Sequence, residues 1–226
     1  MSMRKKKSNK QSPKFIFWIV GILAICLGGL LFISNSTSKV EAFDYEYQPF
    51  LGEDTAPVQI VEFGDYKCPI CKNFNETLFP QIEKDFIDTG KASFYFMNYS
   101  FINVDSARSA KFAEAVYKEL GNKAFWEFHK LLYERQPDDI KYEKMDVFTE
   151  DFLEETLKEI VSEEDAQKVV KSFNNNEADS AWKSDMNTAE RIGVAGTPTI
   201  YVNGEVFEGN SYEDLKEVVE KAIAGE

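Results

Sequence analysis

Residues 58–72 read VQIVEF, GDYK, CPICK, and the rest of the architecture is built around them. Val58–Phe63 is β-branched and apolar, the composition of a strand buried on both faces. Gly64 to Lys67 is a loop. Cys68-Pro69 then opens a helix, because proline lacks the N–H that would have no partner in a first turn. Cys71, Phe74, Leu78 and Ile82 continue at helical spacing. Pro80 interrupts that run, so a kink is expected near Glu76–Phe79. Ala92–Tyr99 (ASFYFMNY) reads as a second strand. Strand, helix, strand with a helical crossover predicts a parallel pair.

The two cysteines of this segment carry its chemistry. A disulfide exchanger needs an exposed thiolate that attacks and a second thiol near enough to resolve the mixed disulfide. A sulfur at a helix start meets the first need, since free N–H groups and the helix dipole favour its anion. Cys71, one turn further in, is expected to be more buried and less acidic. Rival chemistries fit less well. A structural zinc site needs four ligands and one CxxC supplies two. A bridge across so short a loop adds little stability. The only histidine, His129, lies on the apolar face of a distant helical stretch and reads as a packed core residue. Lys67 and Lys72 flank the pair, either favouring the Cys68 thiolate or standing as solvated charges.

Outward from this segment, residues 105–190 are a helical block. Ala110, Ala113, Val116 and Leu120 share a face, as do Phe125, Phe128, His129 and Leu132, and then Leu153, Leu157, Ile160 and Val161. Ser162 with Asp165 marks a helix start, and Ala178 to Ala189 suggests a last helix before Gly193. The chain then returns to strands at Thr199–Val202 and Glu205–Phe207, joined by Asn203-Gly204, a strong hairpin signal. A capping box at Ser211 and Asp214 opens a final amphipathic helix. The predicted order is β-α-β, helical block, β-β-α.

The ends and the charge place the molecule. Residues 1–33 hold six basic residues and no acids, which leaves 20 basic against 39 acidic, a net of −19, for the remainder. Such a domain repels phosphate backbones, so nucleic acid is not an expected partner. Phe15 to Ile33 is 19 residues without a charge, about 28 Å as a helix and long enough to span a bilayer. The positive-inside rule puts residues 1–14 in the cytoplasm and everything after Ser34 outside. Cleavage after Ala42 is the alternative to a retained anchor. Residues 34–47 read as a tether.

The segment Glu62-Phe63-Gly64-Asp65-Tyr66-Lys67-Cys68-Pro69-Ile70-Cys71-Lys72, together with Gly196-Thr197-Pro198-Thr199, resembles the two signatures of DsbA-like thiol–disulfide oxidoreductases. Within that family it is similar to the membrane-anchored Gram-positive BdbD type, from about Gln48 to the C-terminus. The resemblance implies an α/β, thioredoxin-like fold made of residues 48–104 and 191–226, with residues 105–190 inserted between the halves. It implies that Cys68 and Cys71 cycle between dithiol and disulfide. It implies a cis Pro198 facing them, and Thr197 offering its backbone to an extended substrate beside Pro69 and Ile70. Glu62 matches a buried acid beneath the active-site helix; burial raises a carboxyl's pKa, so it could exchange a proton with Cys71. The alternative is a strand-edge acid facing solvent.

The resemblance further implies oxidation of thiols in newly exported or unfolded proteins. Reoxidation would come from a quinone-linked membrane partner of the DsbB/BdbC kind, in a Gram-positive bacterium. Ile70, where many such proteins carry His, cannot donate to a thiolate and counts against a very strong oxidant. A reductase or isomerase, and a peptide-binding chaperone with non-essential cysteines, are the competing functions. No cofactor is required and no metal ligands are assigned, although some relatives bind a structural Ca²⁺.

Overall fold

A computed structural model describes residues 43–225. The expected basic tail (1–14) and membrane span (15–33) lie outside the described residues, as do residues 34–42 of the expected tether. Among the described residues no helix is long and apolar enough to cross a membrane.

Strand β2 (Val58–Gly64) is the centre of a five-stranded sheet whose order is β1 (Phe50–Leu51), β3 (Ala92–Asn98), β2, β4 (Thr199–Val202) and β5 (Glu205–Val206). It pairs in parallel with β3 (Ala92–Asn98), with Glu62 opposite Phe96. It pairs antiparallel with β4 (Thr199–Val202), with Glu62 opposite Ile200. Flanked on both edges and covered on both faces, β2 has no need of polar alternation. Val58 and Ile60 enter the larger core, while Val61 and Phe63 enter a smaller one on the other face. Glu62 therefore points the same way as Val58 and Ile60, into the larger core.

Helix α1 (Pro69–Thr77) has Cys68 as its N-cap and Pro69 in its first turn. It breaks at Leu78, where the short α2 (Phe79–Ile82) begins, followed by a π-helical turn at Glu83–Ile87. This is where Pro80 was expected to act. Helix α3 (Val104–Glu134) bends at Gly121, whose φ of 79° and ψ of −172° are not helical. A 3₁₀ turn (Ile140–Lys144), α4 (Glu150–Lys158), α5 (Glu163–Asn174) and α6 (Asp179–Ile192) follow. Ser162 caps α5 by accepting from the Asp165 N–H, and Gly193 ends α6 in the left-handed region. The β4–β5 (Glu205–Val206) hairpin turns on Asn203 and Gly204, both at positive φ. The capping box of Ser211 and Asp214 opens α7 (Tyr212–Ala224).

Two expectations need correcting. The first strand of the sheet, β1 (Phe50–Leu51), pairs antiparallel with β3 and was not anticipated. Within residues 43–47, expected to end a tether, Phe43 and Tyr45 pack on the sheet, while Asp44, Glu46 and Tyr47 are exposed. Phe43 is buried against Phe63 and Tyr201, and Tyr45 lies 4.2 Å from Tyr95 by ring centroids. Apolar aromatics this close to the sheet bury too much surface to remain in solvent.

Candidate active site

The loop from Gly64 to Lys67 aims the cysteines. Asp65 is buried and accepts from the N–H groups of Lys67 (2.9 Å), Phe101 (3.0 Å) and Ile102 (3.2 Å). This ties the loop before Cys68 to the loop after β3. Lys67 is not a solvated charge. Its Nζ lies 3.1 Å from Asp105 and donates to the carbonyls of Tyr142 (2.6 Å) and Met145 (2.8 Å). Lys72 donates to the Gln136 carbonyl at 2.7 Å and pairs with Asp138. Both lysines staple the active-site segment to the helical insertion.

Cys68 and Cys71 are free thiols in hydrogen-bond contact. Cys68 is pushed down to about 6. The largest cause is the hydrogen bond from the Cys71 thiol. Burial opposes it, and a hydrogen bond from the Thr197 side chain and the backbone N–H groups of Cys71 and Ile70 add to it. The helix start therefore contributes as expected, but the neighbouring thiol contributes more, and neither lysine is among the causes. Cys71 is pushed well above the ordinary thiol value, chiefly by burial. Cys68 itself keeps only 5% of its surface, less open than a freely exposed thiolate, while Ile70 beside it is 66% exposed.

The Thr197–Pro198 peptide is cis, and the Thr197 carbonyl oxygen lies 3.2 Å from the Cys68 sulfur, in position to accept from its S–H. Pro69, Thr197 and Pro198 are half-buried. Glu62 is wholly buried, and its pKa is raised well above the carboxylate range by that burial, with a smaller raising influence from Cys68. The solvent-facing alternative for this residue is thereby excluded. Asn75, bonded to Glu62 and to the Cys71 carbonyl, links the buried acid to the pair.

His129 is packed among aromatic rings, as expected, with Phe96 at 4.5 Å and Trp126 at 4.9 Å between centroids. It is not distant from the site. It bonds Tyr66 at 3.0 Å and Asn75 at 3.0 Å, and Asn75 reaches Glu62 at 3.4 Å and the Cys71 carbonyl at 3.1 Å. Asn75 was missed, although its spacing of four from Cys71 puts it on the same helix face. Asn75, His129 and Tyr133 line a cavity of about 880 Å³ between α1 and α3.

A second buried polar cluster lies at the end of β3. Asn98 donates to Glu114 (2.7 Å) and Asp185 (3.2 Å), and Gln48 donates to Asp185 (2.7 Å). Burial raises Glu114 well above the carboxylate range and Asp185 to about 6, and the Oδ1 of Asn98 has no hydrogen-bond partner. Among the described residues no three His, Cys, Asp or Glu side chains gather as a metal cluster would.

Known proteins resemble this chain in sequence and fold. A family profile described as thioredoxin matches residues 44–221. The disulfide bond formation protein D of Bacillus subtilis (strain 168) is 41% identical over 187 residues, covering 79% of this chain and 78% of that protein. The "Probable disulfide bond formation protein D" of Bacillus anthracis is 33% identical over 221 residues, covering 96% and 99%. The crystal structure of oxidised BdbD from Bacillus subtilis superposes with a TM-score of 0.76 at 36% identity, covering 84% of this chain and 100% of that one. Chlamydia trachomatis DsbA, at 23% identity and a TM-score of 0.66, shares the fold.

Proposed function

The chain belongs to the thioredoxin family, in its disulfide bond formation protein D branch, and we propose that it introduces disulfides into exported proteins. It is a thiol–disulfide oxidoreductase. One observation carries the oxidising direction: the two sulfurs are unequal, Cys68 acidic at about 6 and Cys71 held protonated by burial. A stabilised thiolate favours the reduced enzyme, so the disulfide form gives up its oxidising equivalents readily.

In the forward reaction a substrate thiolate attacks the Cys68 sulfur of the disulfide. The Cys68–Cys71 bond breaks, and Cys71 leaves with the electron pair and takes a proton from Glu62. A second substrate thiolate attacks the substrate's own sulfur, and Cys68 departs as its stabilised thiolate. The substrate has lost two electrons and the enzyme has gained them. The Thr197 backbone and cis Pro198 would align an extended chain across Cys68 in the manner of strand addition, with Pro69 and the exposed Ile70 as apolar contacts. Reoxidation by a quinone-linked membrane partner of the DsbB/BdbC kind would return the dithiol to disulfide. The basic cluster before residues 15–33 supports a cytoplasmic N-terminus and an extracytoplasmic catalytic domain.

The test is oxidation of a reduced, unfolded secreted protein by the oxidised enzyme. Cys68→Ser is expected to abolish disulfide gain, and Cys71→Ser, with Cys68 first loaded as a mixed disulfide with glutathione, to exchange that glutathione for the substrate and accumulate the substrate mixed disulfide. Suppression of that protein's aggregation by Cys68→Ser as well as by the parent would favour the chaperone reading instead.

The second cluster suits a structural Ca²⁺. Two buried carboxylates and the orphaned Asn98 Oδ1, with the Gln48 amide beside them, form a hard-oxygen donor set. Glu114, Asp185, Asn98 and Gln48 would hold the ion. Bound there, it neutralises carboxylates that burial otherwise keeps partly protonated, and it supplies no sulfur chemistry. The expected result is a higher Tm in Ca²⁺ than in chelator, lost in Glu114→Gln. An unchanged Tm contradicts the assignment.

A further inference from the structure

The hydrogen bonds leading to Glu62 have a single consistent sense. The Nδ2 of Asn75 faces two acceptors, Glu62 Oε1 at 3.4 Å and the Cys71 carbonyl oxygen at 3.1 Å. It must therefore be the amide NH₂. Its Oδ1 then accepts from His129 Nε2 at 3.0 Å, so that ring nitrogen carries the proton. Nδ1 is left bare and accepts from the Tyr66 hydroxyl at 3.0 Å. The ring stays neutral over any working pH, because burial lowers its pKa to about 3.

The two ends of the Asn75 amide are alike in size, and Asn75 borders the open cavity rather than close-packed atoms. Packing alone does not choose its sense; the Nε2–H of His129 does. Turned over, the amide would set its oxygen against the Glu62 carboxylate and the Cys71 carbonyl.

We infer that His129 is a positioning residue of the thiol–disulfide reaction: it locks the Asn75 amide so that its N–H points at Glu62. Through that N–H it sets the ease with which Glu62 exchanges a proton with Cys71. The inference rests on the reading of Glu62 as the proton partner of Cys71.

The step it governs is closure. The Cys71 S–H passes its proton to the Glu62 carboxylate. The resulting thiolate attacks the Cys68 sulfur of a mixed disulfide, the bond to the partner sulfur breaks, and that sulfur leaves with the electron pair. Glu62 then releases the proton to water. The groups facing Glu62 are Cys68, then Cys71 and Asn75 from α1, Tyr66 from the loop and Tyr133 from α3; Asp65 acts on Cys71 and Tyr133, and His129 reaches Glu62 through Asn75. Glu114 and Asp185 act further out, on Tyr66. Phe96 and Ile200, its strand neighbours, are apolar. Burial and Cys68 raise the proton affinity of Glu62, and Asn75 lowers it.

The test uses the reduced full chain and a chromogenic aromatic disulfide. The first thiolate released reports attack by Cys68, and the second reports closure by Cys71. Closure rate against pH is expected to show its midpoint displaced upward by about one unit in Asn75→Leu and in His129→Phe, the size of a lost hydrogen bond to a charged group. The double variant is expected to shift no further than either single one, as two residues acting in series should. His129→Gln, which keeps a donor, should return the midpoint toward that of the parent. The Cys68 step should change less than closure throughout. Parent-like midpoints in both single variants, or additive shifts in the double, would overturn the inference. Should His129→Phe not fold, an unshifted Asn75→Leu overturns it alone. Glu62→Gln separates the levels. If it leaves the midpoint in place, the role of Glu62 falls and this inference with it. If it removes the midpoint while Asn75→Leu and His129→Phe do not move it, the inference alone falls.

Discussion

At the scale of the residue, Cys68 and Cys71 show one chemical group driven in opposite directions by position. Cys68 sits where backbone N–H groups and a neighbouring thiol converge and is pushed down to about 6, whereas Cys71 is a turn deeper and is pushed up by burial. The attack of reduced enzyme on a small disulfide should accordingly rise between pH 5 and 7 and be flat above, in stopped-flow measurements. A rise centred near pH 8.5, the ordinary thiol value, would mean that the site does not activate its sulfur. This part of the site was legible in the sequence because its signals are local: the CxxC, the proline after it, and Thr197-Pro198. The Tyr66–His129–Asn75 chain was not, since its partners are 63 and 54 residues apart and a lone histidine among apolar neighbours looks like core.

At the scale of the element, the loop before Cys68 is held from below and from the side. Asp105 accepts from Lys67 and from the N–H groups of Val147 and Phe148, so one buried ion pair joins the active-site loop, α3 and the segment before α4. Lys67→Met should cost about 3–5 kcal/mol in denaturant unfolding, because it strands a buried carboxylate. Replacing Lys67 and Asp105 together with apolar residues should cost less than the sum of the two single changes. A loss under about 1 kcal/mol for Lys67→Met would show that the pair is dispensable. Helix α3 offers a test of backbone rather than contact. A Cβ at Gly121 meets no atom within 4 Å, yet the residue's φ is 79°. Gly121→Ala should still cost about 1–3 kcal/mol through strain alone. The bend and the short β1 escaped sequence reading because neither has a period: one is a single glycine between two apolar faces, the other two residues long.

At the scale of the whole molecule, the strand, helix and hairpin patterns around the two signatures were enough to assemble the sheet, since each was marked by its own turn or cap. What binds the insertion to that sheet was not readable, because Lys67, Asp105, Glu114 and Asp185 are charged residues in the interior, and charge in sequence reads as surface. The folded molecule is also where the acidity of Cys68 becomes stability. Its folded-state pKa lies below the unfolded value, so its contribution is full above the unfolded pKa and fades as pH falls through about 6. At pH 7 this favours the reduced form and so makes the disulfide more oxidising. The stability advantage of reduced over oxidised protein should therefore shrink between pH 7 and pH 5. The most direct check is the equilibrium of the Cys68–Cys71 couple with glutathione at pH 7. The account predicts a potential less negative than about −230 mV, within the range of the glutaredoxins or on its oxidising side. A value at or below that of thioredoxin, about −270 mV, would contradict it and make this protein a reductase.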